Sequence, residues 1–403
     1  LRQSGMKNYV FMRPGPHENA DLDDLFVWES PDGSSVRAYR IPHCYCVTNM
    51  NQLDDIIARS TAEKPLMAFY GVGNHGGGPT VMLINEINAN HKPEGVFYST
   101  PDEYFEDTKY NDVKVVKDEL QHHARGCYSA LSYVKRSNRA AEYALYEAEA
   151  LSVLADKLTG EDNYPSEKLK KAWKNVLFNQ FHDILPGSHI HPVYEDAMND
   201  YRSVSERLDA MLALTAGNEY FNSLNFTRSS ITFIEDENGA ITRHGVKGFW
   251  SIPTLAGLST GTVAALPSKE NWLSTEFCDK CDCLVLETPY YRAKLSSDGS
   301  FVSLYDKELD REWVKEGCGF NKLHLYADNP GVYDAWDILP NYKDVQVALN
   351  VDKPLALVSS DGSSAEFAVT FTTEKSTWKM ILRFFADSRA IEVEKTGMRS
   401  ISS

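Results

Sequence analysis

The sequence predicts a multidomain chain in which an α/β segment is followed by a bundle of three helices and then by a β-sandwich. Three observations carry this expectation. The chain has 403 residues, too many for one ordinary hydrophobic core, so two or three domains are expected. Hydrophobic residues make up 42% and charged residues 24%, a globular balance that excludes a mostly disordered chain. The texture also changes twice, near Glu119 and beyond Asn222.

The first hundred residues mix short apolar runs with Gly- and Pro-rich turns. Tyr9-Val10-Phe11-Met12 reads as a buried strand closed by Arg13-Pro14-Gly15-Pro16. Leu25 to Trp28 and Val36 to Tyr39 read as a hairpin around Pro31-Asp32-Gly33-Ser34. Leu66 to Tyr70 reads as a further buried strand running into a glycine loop, Gly71 to Pro79. The helix-compatible stretch Val81 to Ile87 comes next. From about Glu119 to Ala216 the period lengthens. Leu169, Ala172, Trp173, Val176 and Leu177 follow helical spacing closely, and Pro186-Gly187 is expected to stop that helix. Helices on either side carry Leu131, Val134, Leu145, Ala148 and Leu151, and Val193, Ala197, Tyr201, Val204, Leu208 and Met211. Beyond Asn222, strands are expected at 283–285, 291–295, 301–305, 367–371, 380–385 and 391–393, with turns spaced as in a sandwich. The end, Gly397 to Ser403, does not resemble a sandwich strand and is expected to fray.

The net charge excludes some partners. With 41 basic and 57 acidic residues the formal charge is −16, and no basic patch offsets it, so no nucleic-acid partner is expected. Neutral sugars suit such a surface, and an aromatic content of 11% could supply rings that stack on them. No run of about 18 apolar residues occurs, so no membrane span is expected. The opening, Leu1-Arg2-Gln3-Ser4-Gly5, has neither Met nor an apolar core. It predicts no signal peptide and a chain that starts inside a longer protein. Seven cysteines, an odd number, do not close a complete disulfide framework, which favours a reducing, cytoplasmic setting.

The sharpest local feature is Phe178-Asn179-Gln180-Phe181-His182-Asp183-Ile184-Leu185-Pro186-Gly187. An imidazole beside a carboxylate at a helix end can present a metal ligand and a hydrogen-bond acceptor together. The same pair also reads as a capping histidine next to a surface aspartate, and one His is not a zinc site, which needs three or four protein ligands. His122-His123, Arg125 and Tyr128 either line a cleft or pack between domains. Asp334-Ala335-Trp336-Asp337 is either a loop reaching back toward the first domain or a buried tryptophan in the sandwich. Cys278, Cys281 and Cys283 invite a metal reading, but no second knuckle follows them. Asn225-Phe226-Thr227 fits a glycosylation sequon, a pattern that chance also produces.

The run Asn179 to Ser188 resembles a signature of glycoside hydrolase family 38, the α-mannosidases. The glycine loop Tyr70 to Thr80 is similar to that family, as are Phe26 to Ser34, Glu119 to Tyr128 and Asp334 to Asp337. The resemblance spans the chain from its start to about residue 340, in order. It implies a retaining enzyme in which two carboxylates flank the scissile bond and a covalent mannosyl-enzyme forms. It also implies one zinc ion per site that clamps the sugar hydroxyls. On this chain the resemblance makes His182 the metal ligand and Asp183 a substrate-binding residue. Tyr128, Trp336 and Asp337 join Asp183 as substrate-site candidates. Several relatives carry Asp where this sequence has Asn74. Asn cannot donate the proton, so Asn74 and His75 stand as candidates for the catalytic loop with the acid/base undecided. No His-x-Asp pair occurs, so the nucleophile and the other zinc ligands are expected upstream of Leu1.

The architecture expected from this resemblance is the C-terminal part of a (β/α) barrel-like catalytic domain over 1–105, a three-helix middle domain over 106–217, and an incomplete β-sandwich over 218–403. The function expected is hydrolysis of α-linked mannosides, from an oligosaccharide or a small mannoside, with a homo-oligomer possible. The competing expectation is a catalytically inert carbohydrate-binding or scaffold fragment.

Overall fold

The computed structural model describes residues 1–16, 18–73, 77–91, 95–108, 112–121, 123–212, 220–329, 331 and 333–399. The chain divides into two compact units. The first comprises Leu1–Ser129 with Ala335–Asp337, and the second Ala130–Asp334 with Ile338–Ser403.

The first unit is built on a four-stranded mixed sheet. Strands Leu25–Glu29 and Ser35–Arg40 form the expected antiparallel hairpin. Gly33, at φ 82°, supplies the left-handed turn residue, and the Asp32 carboxylate accepts from the Ser34 amide at 2.9 Å. Asn8–Phe11 adds in parallel to the second of these strands, and Val115–Val116 adds in parallel to the first. Phe11, Leu22, Phe26, Ala38, Val116 and Leu120 close one apolar core on this sheet. Three short helices follow from local capping. Helix α1 (Met50–Arg59) starts at Asn49, whose side chain accepts from the Gln52 amide. Helix α2 (Val81–Asn90) starts at Thr80, and α3 (Pro101–Asp107) opens with a full capping box between Thr100 and Glu103. Leu83 and Ile87 of α2 pack on Leu53 and Ile56 of α1. The run Leu66 to Tyr70 corrects the expectation of a strand. It has a single parallel bridge, between Val47 and Tyr70, because the chain turns away at Gly71 before a ladder can extend.

In the second unit three long helices share one core: α4 (Ser132–Thr159), α5 (Ser166–Asn179) and α6 (His191–Leu212). Val134, Leu145 and Ala148 of α4 meet Leu169, Ala172 and Val176 of α5 and Ala197, Tyr201, Val204 and Leu208 of α6. Helix α5 ends at Asn179, earlier than the Pro-Gly stop implies. The buried Asn179 side chain donates to the Asn175 carbonyl at 3.0 Å and to Asp200 at 3.1 Å. A polar side chain engaged with the preceding turn competes with the helix ladder, and the chain leaves the helix there.

After short ladders between residues 220 and 261, two antiparallel sheets follow. One runs Ser274–Cys278, Cys283–Glu287, Tyr291–Leu295, Phe301–Asp306 and Arg311–Glu312. The other runs Asn350–Ser360, Ser364–Thr372, Ser376–Phe385 and Glu392–Arg399. Leu286, Ala293, Leu295, Phe301 and Leu304 of the first sheet share a core with Ala365, Phe367, Leu382 and Phe384 of the second. Alternate residues are buried along Tyr291–Leu295 and Ser364–Thr372, as two packed sheets require, whereas Asn350–Ser360 is exposed along almost its whole length. The end of the chain corrects a second expectation. Gly397, Met398 and Arg399 belong to the last strand and pair with Trp378, Thr377 and Ser376. A Cβ on Gly397 would lie 2.6 Å from the Trp378 ring, so the glycine is the residue that lets this edge lie against the indole.

Candidate functional site

His182 and Asp183 lie in the turn that follows α5, three residues beyond the helix, which corrects their expected place in its last turn. His182 Nε2 is 3.7 Å from Asp183 Oδ2, and both side chains are open to solvent, at 72% and 50% exposure. The imidazole lies against Phe181, with ring centroids 4.3 Å apart. The turn beneath them is firmly held. Ile184 is buried, and Lys135 Nζ donates to the carbonyls of Ala130 (2.6 Å), Leu185 (3.1 Å) and Pro186 (3.0 Å). Gly187 turns the chain at φ 80°, so close to Ala130 that a Cβ would lie 2.8 Å from that carbonyl oxygen. Two segments distant in sequence, 130–135 and 184–187, therefore hold the turn that bears two exposed polar side chains. Sequence reasoning missed Lys135, whose role depends on carbonyls far along the chain.

A second constellation lies in the first unit. Arg125–Tyr128 form one turn of 3-10 helix entered through Ala124 at φ 52°. The Gly126 amide donates to the Trp336 carbonyl at 2.9 Å, and Cys127 Sγ lies 3.9 Å from the Ala335 carbonyl. Trp336 and Asp337 are half-buried, and Tyr128 is exposed. The Asp334 to Asp337 loop thus leaves the strand-rich region and binds the 125–128 turn. Trp336 is not in the sandwich core, which overturns the alternative reading of that residue.

His123 reaches Glu18, with Nδ1 2.6 Å from Oε1. Burial alone would push the Glu18 carboxyl up, but the Gly15 amide, His123 and Arg13 together hold it below the usual carboxylate range. His123 is thereby engaged with Glu18 within its own unit. Asn74, His75 and His122 lie outside the described residues.

Among the described residues no group of three or more His, Cys, Asp or Glu side chains is arranged to hold a metal ion. His182 and Asp183 make two groups where zinc takes three or four protein ligands, so the described residues alone do not fit the ion. The cysteine cluster, a weak metal candidate in the sequence, is paired differently. Cys281 and Cys283 form a disulfide and Cys278 remains a free thiol, so that cluster does not offer the set of thiolates a zinc knuckle uses.

A helix trio followed by two packed antiparallel sheets has a counterpart among known proteins. Residues 122–217 match the family model described as alpha mannosidase middle domain, and residues 286–396 match the glycosyl hydrolases family 38 C-terminal domain. The chain belongs to glycoside hydrolase family 38. It is 25% identical to alpha-mannosidase G of Dictyostelium discoideum, over 89% of this chain and 38% of that protein. It is 26% identical to alpha-mannosidase 2C1 of Mus musculus, over 78% of this chain and 32% of that protein. The chain therefore spans about a third of the length of these relatives. The crystal structure of an alpha-mannosidase from Enterococcus faecalis V583 shares the fold with a TM-score of 0.59 at 14% identity, covering 92% of this chain and 55% of that one.

Proposed function

We propose that this chain is part of an α-mannosidase, a hydrolase acting on α-linked mannose in oligosaccharides or small mannosides. The observation that carries the reading is the succession on one chain of the family's middle and C-terminal domains, in that order. The relatives named alpha-mannosidase in Dictyostelium discoideum and Mus musculus support it. In this reading the first unit is part of a (β/α) barrel-like catalytic domain. The reaction runs with retention through a covalent glycosyl-enzyme, with two carboxylates about the scissile bond.

Zinc is proposed as the cofactor of the full-length protein, with His182 as the one ligand contributed by the described residues. The resemblance carried by Asn179 to Ser188 supports this role, and Lys135 braces the turn that bears His182. Bound there, the ion would supply electrostatic positioning of sugar hydroxyls rather than activated water. Asp183 would accept hydrogen bonds from those hydroxyls. Tyr128, Trp336 and Asp337, on two segments joined at Gly126, would offer a stacking ring and polar groups to the substrate. Asn74 and His75 are proposed as catalytic-loop residues of the full-length protein, with the acid/base undecided. A reducing, cytoplasmic place of work is proposed on five free thiols, against one local disulfide between Cys281 and Cys283.

The test uses the full-length protein. His182→Ala and Asp183→Ala should each remove most mannosidase activity, and His182→Ala should also lower the zinc content. Full activity with normal zinc in His182→Ala would reject the assignment. NMR of the first-formed sugar should show the α anomer, and a β product would reject retention. A second reading, an inert carbohydrate-binding fragment, is favoured for the 403-residue chain alone by the lack of a metal-holding group among its described residues. Mannoside hydrolysis by that chain alone would exclude it.

A further inference from the structure

Cys44 and Cys46 bring two free thiols face to face at the base of the glycine turn. Their sulfurs are 2.9 Å apart, and either can donate to the other. Cys44 is exposed and Cys46 half-buried. The Cys44 sulfur beside it, with burial adding, raises the pKa of Cys46, and Cys44 is the thiol that faces solvent. The pair is tied to the turn twice. A Cβ at Gly73 would lie 2.6 Å from Cys46 Cβ and 2.8 Å from Cys46 Sγ, so only glycine permits this approach. Val47, the next residue, grips the neck of the turn. Its amide donates to the Phe69 carbonyl at 2.9 Å, and its carbonyl accepts from the Gly71 amide at 2.8 Å. Among the described residues no third ligand joins the two sulfurs to make a metal group.

We propose that Cys44 and Cys46 form a redox-active dithiol that closes to a disulfide by exchange with a low-molecular-weight disulfide, and that closure loosens the neck of the glycine turn. The Cys44 thiolate attacks one sulfur of the small disulfide, forming a mixed disulfide and expelling one small thiolate. The Cys46 sulfur then attacks the Cys44 sulfur and expels the second small thiolate. The protein loses two electrons and two protons, and the small disulfide is reduced to two thiols. A disulfide holds its sulfurs ~2.0 Å apart, so the pair must draw together by roughly 1 Å. That movement draws on Cys46, which packs against Gly73, and on the backbone that holds Phe69 and Gly71. The proposal goes beyond the hydrolase reading and does not depend on it.

Oxidised glutathione is the probe, applied to the full-length protein and read by alkylation, tryptic digestion and mass spectrometry. Residues 41–59 form one tryptic peptide that contains both thiols. In the wild type this peptide should become two hydrogens lighter and resist alkylation until reduced. Cys46→Ser should stop at a glutathione adduct on Cys44, and Cys44→Ser should give no internal disulfide. A wild-type peptide that stays doubly alkylated, or stops at the adduct, would overturn the dithiol. Hydrogen exchange at the Gly71 amide should speed up on oxidation, and unchanged exchange would overturn the coupling to the turn.

Discussion

The Gly126 amide donates to the Trp336 carbonyl at 2.9 Å, joining two segments that lie far apart in the sequence. The approach is close: a Cβ on Gly126 would sit 3.0 Å from the Trp336 oxygen and 3.1 Å from its carbonyl carbon. Gly126→Ala must push this backbone away, at a cost of about 1–2 kcal/mol by the usual price of overpacking. Urea unfolding would measure the loss, and proteolysis within 334–337 should become faster. An alanine variant of unaltered stability would show that the two backbones do not meet.

Gly187 and Gly160 both adopt positive φ, at 80° and 73°, in different surroundings. Nothing lies within 4 Å of a Cβ at Gly160, whereas at Gly187 the Ala130 oxygen and Leu131 Cβ lie 2.8 and 2.9 Å away. Asn tolerates the left-handed region better than other residues. Gly160→Asn should therefore change stability by less than about 1 kcal/mol, while Gly187→Asn should lose roughly 2–3 kcal/mol. Thermal melts of the two variants check the contrast, and equal losses would contradict it.

Asp32 predicts an acid-side effect. The Ser30 hydroxyl, then the Ser34 amide and hydroxyl, lower its pKa from 3.8 to about 2. A folded pKa below the unfolded one means that its stabilisation is complete above 3.8 and is lost as pH falls toward 2. A carboxyl titration by NMR should give a midpoint near 2 in the wild type, moving up toward 3.8 in Ser30→Ala. A midpoint unmoved by that substitution would remove Ser30 as the main cause.

Arg383 is 2% exposed between the carboxylates of Glu366 (2.5 Å) and Glu394 (2.7 Å). Arg383→Met leaves both acids without their main cation, and breaking a buried pair costs about 3–5 kcal/mol. The lower end is expected, because Glu366 and Glu394 keep 17% and 16% exposure. Adding Glu366→Gln should return part of the loss, and a double variant weaker than the single one would argue against the pairing.

Much of this fold is legible in local sequence. The hairpin around Asp32-Gly33 needs only turn chemistry and flanking apolar runs, and the stripe from Leu169 to Val176 needs only helical period. Misreadings fell where a tertiary partner overrides local pattern. Leu66 to Tyr70 is apolar enough for a strand, but Val47 supplies one bridge and no ladder. Gly397 looks like a chain end, but the Trp378 strand beside it provides hydrogen-bonding partners.

By itself the sequence determined the succession of α/β, helical and strand-rich segments, because periodicity and turn chemistry act over a few residues. It also determined the resemblance carried by Asn179 to Ser188. Only the tertiary structure decided that Lys135 braces the turn beneath His182, that Trp336 leaves the sandwich for Gly126, and that Cys44 faces Cys46 beneath Gly73. Each of these depends on how closely backbones approach across distant segments, a distance that packing sets and local pattern does not encode.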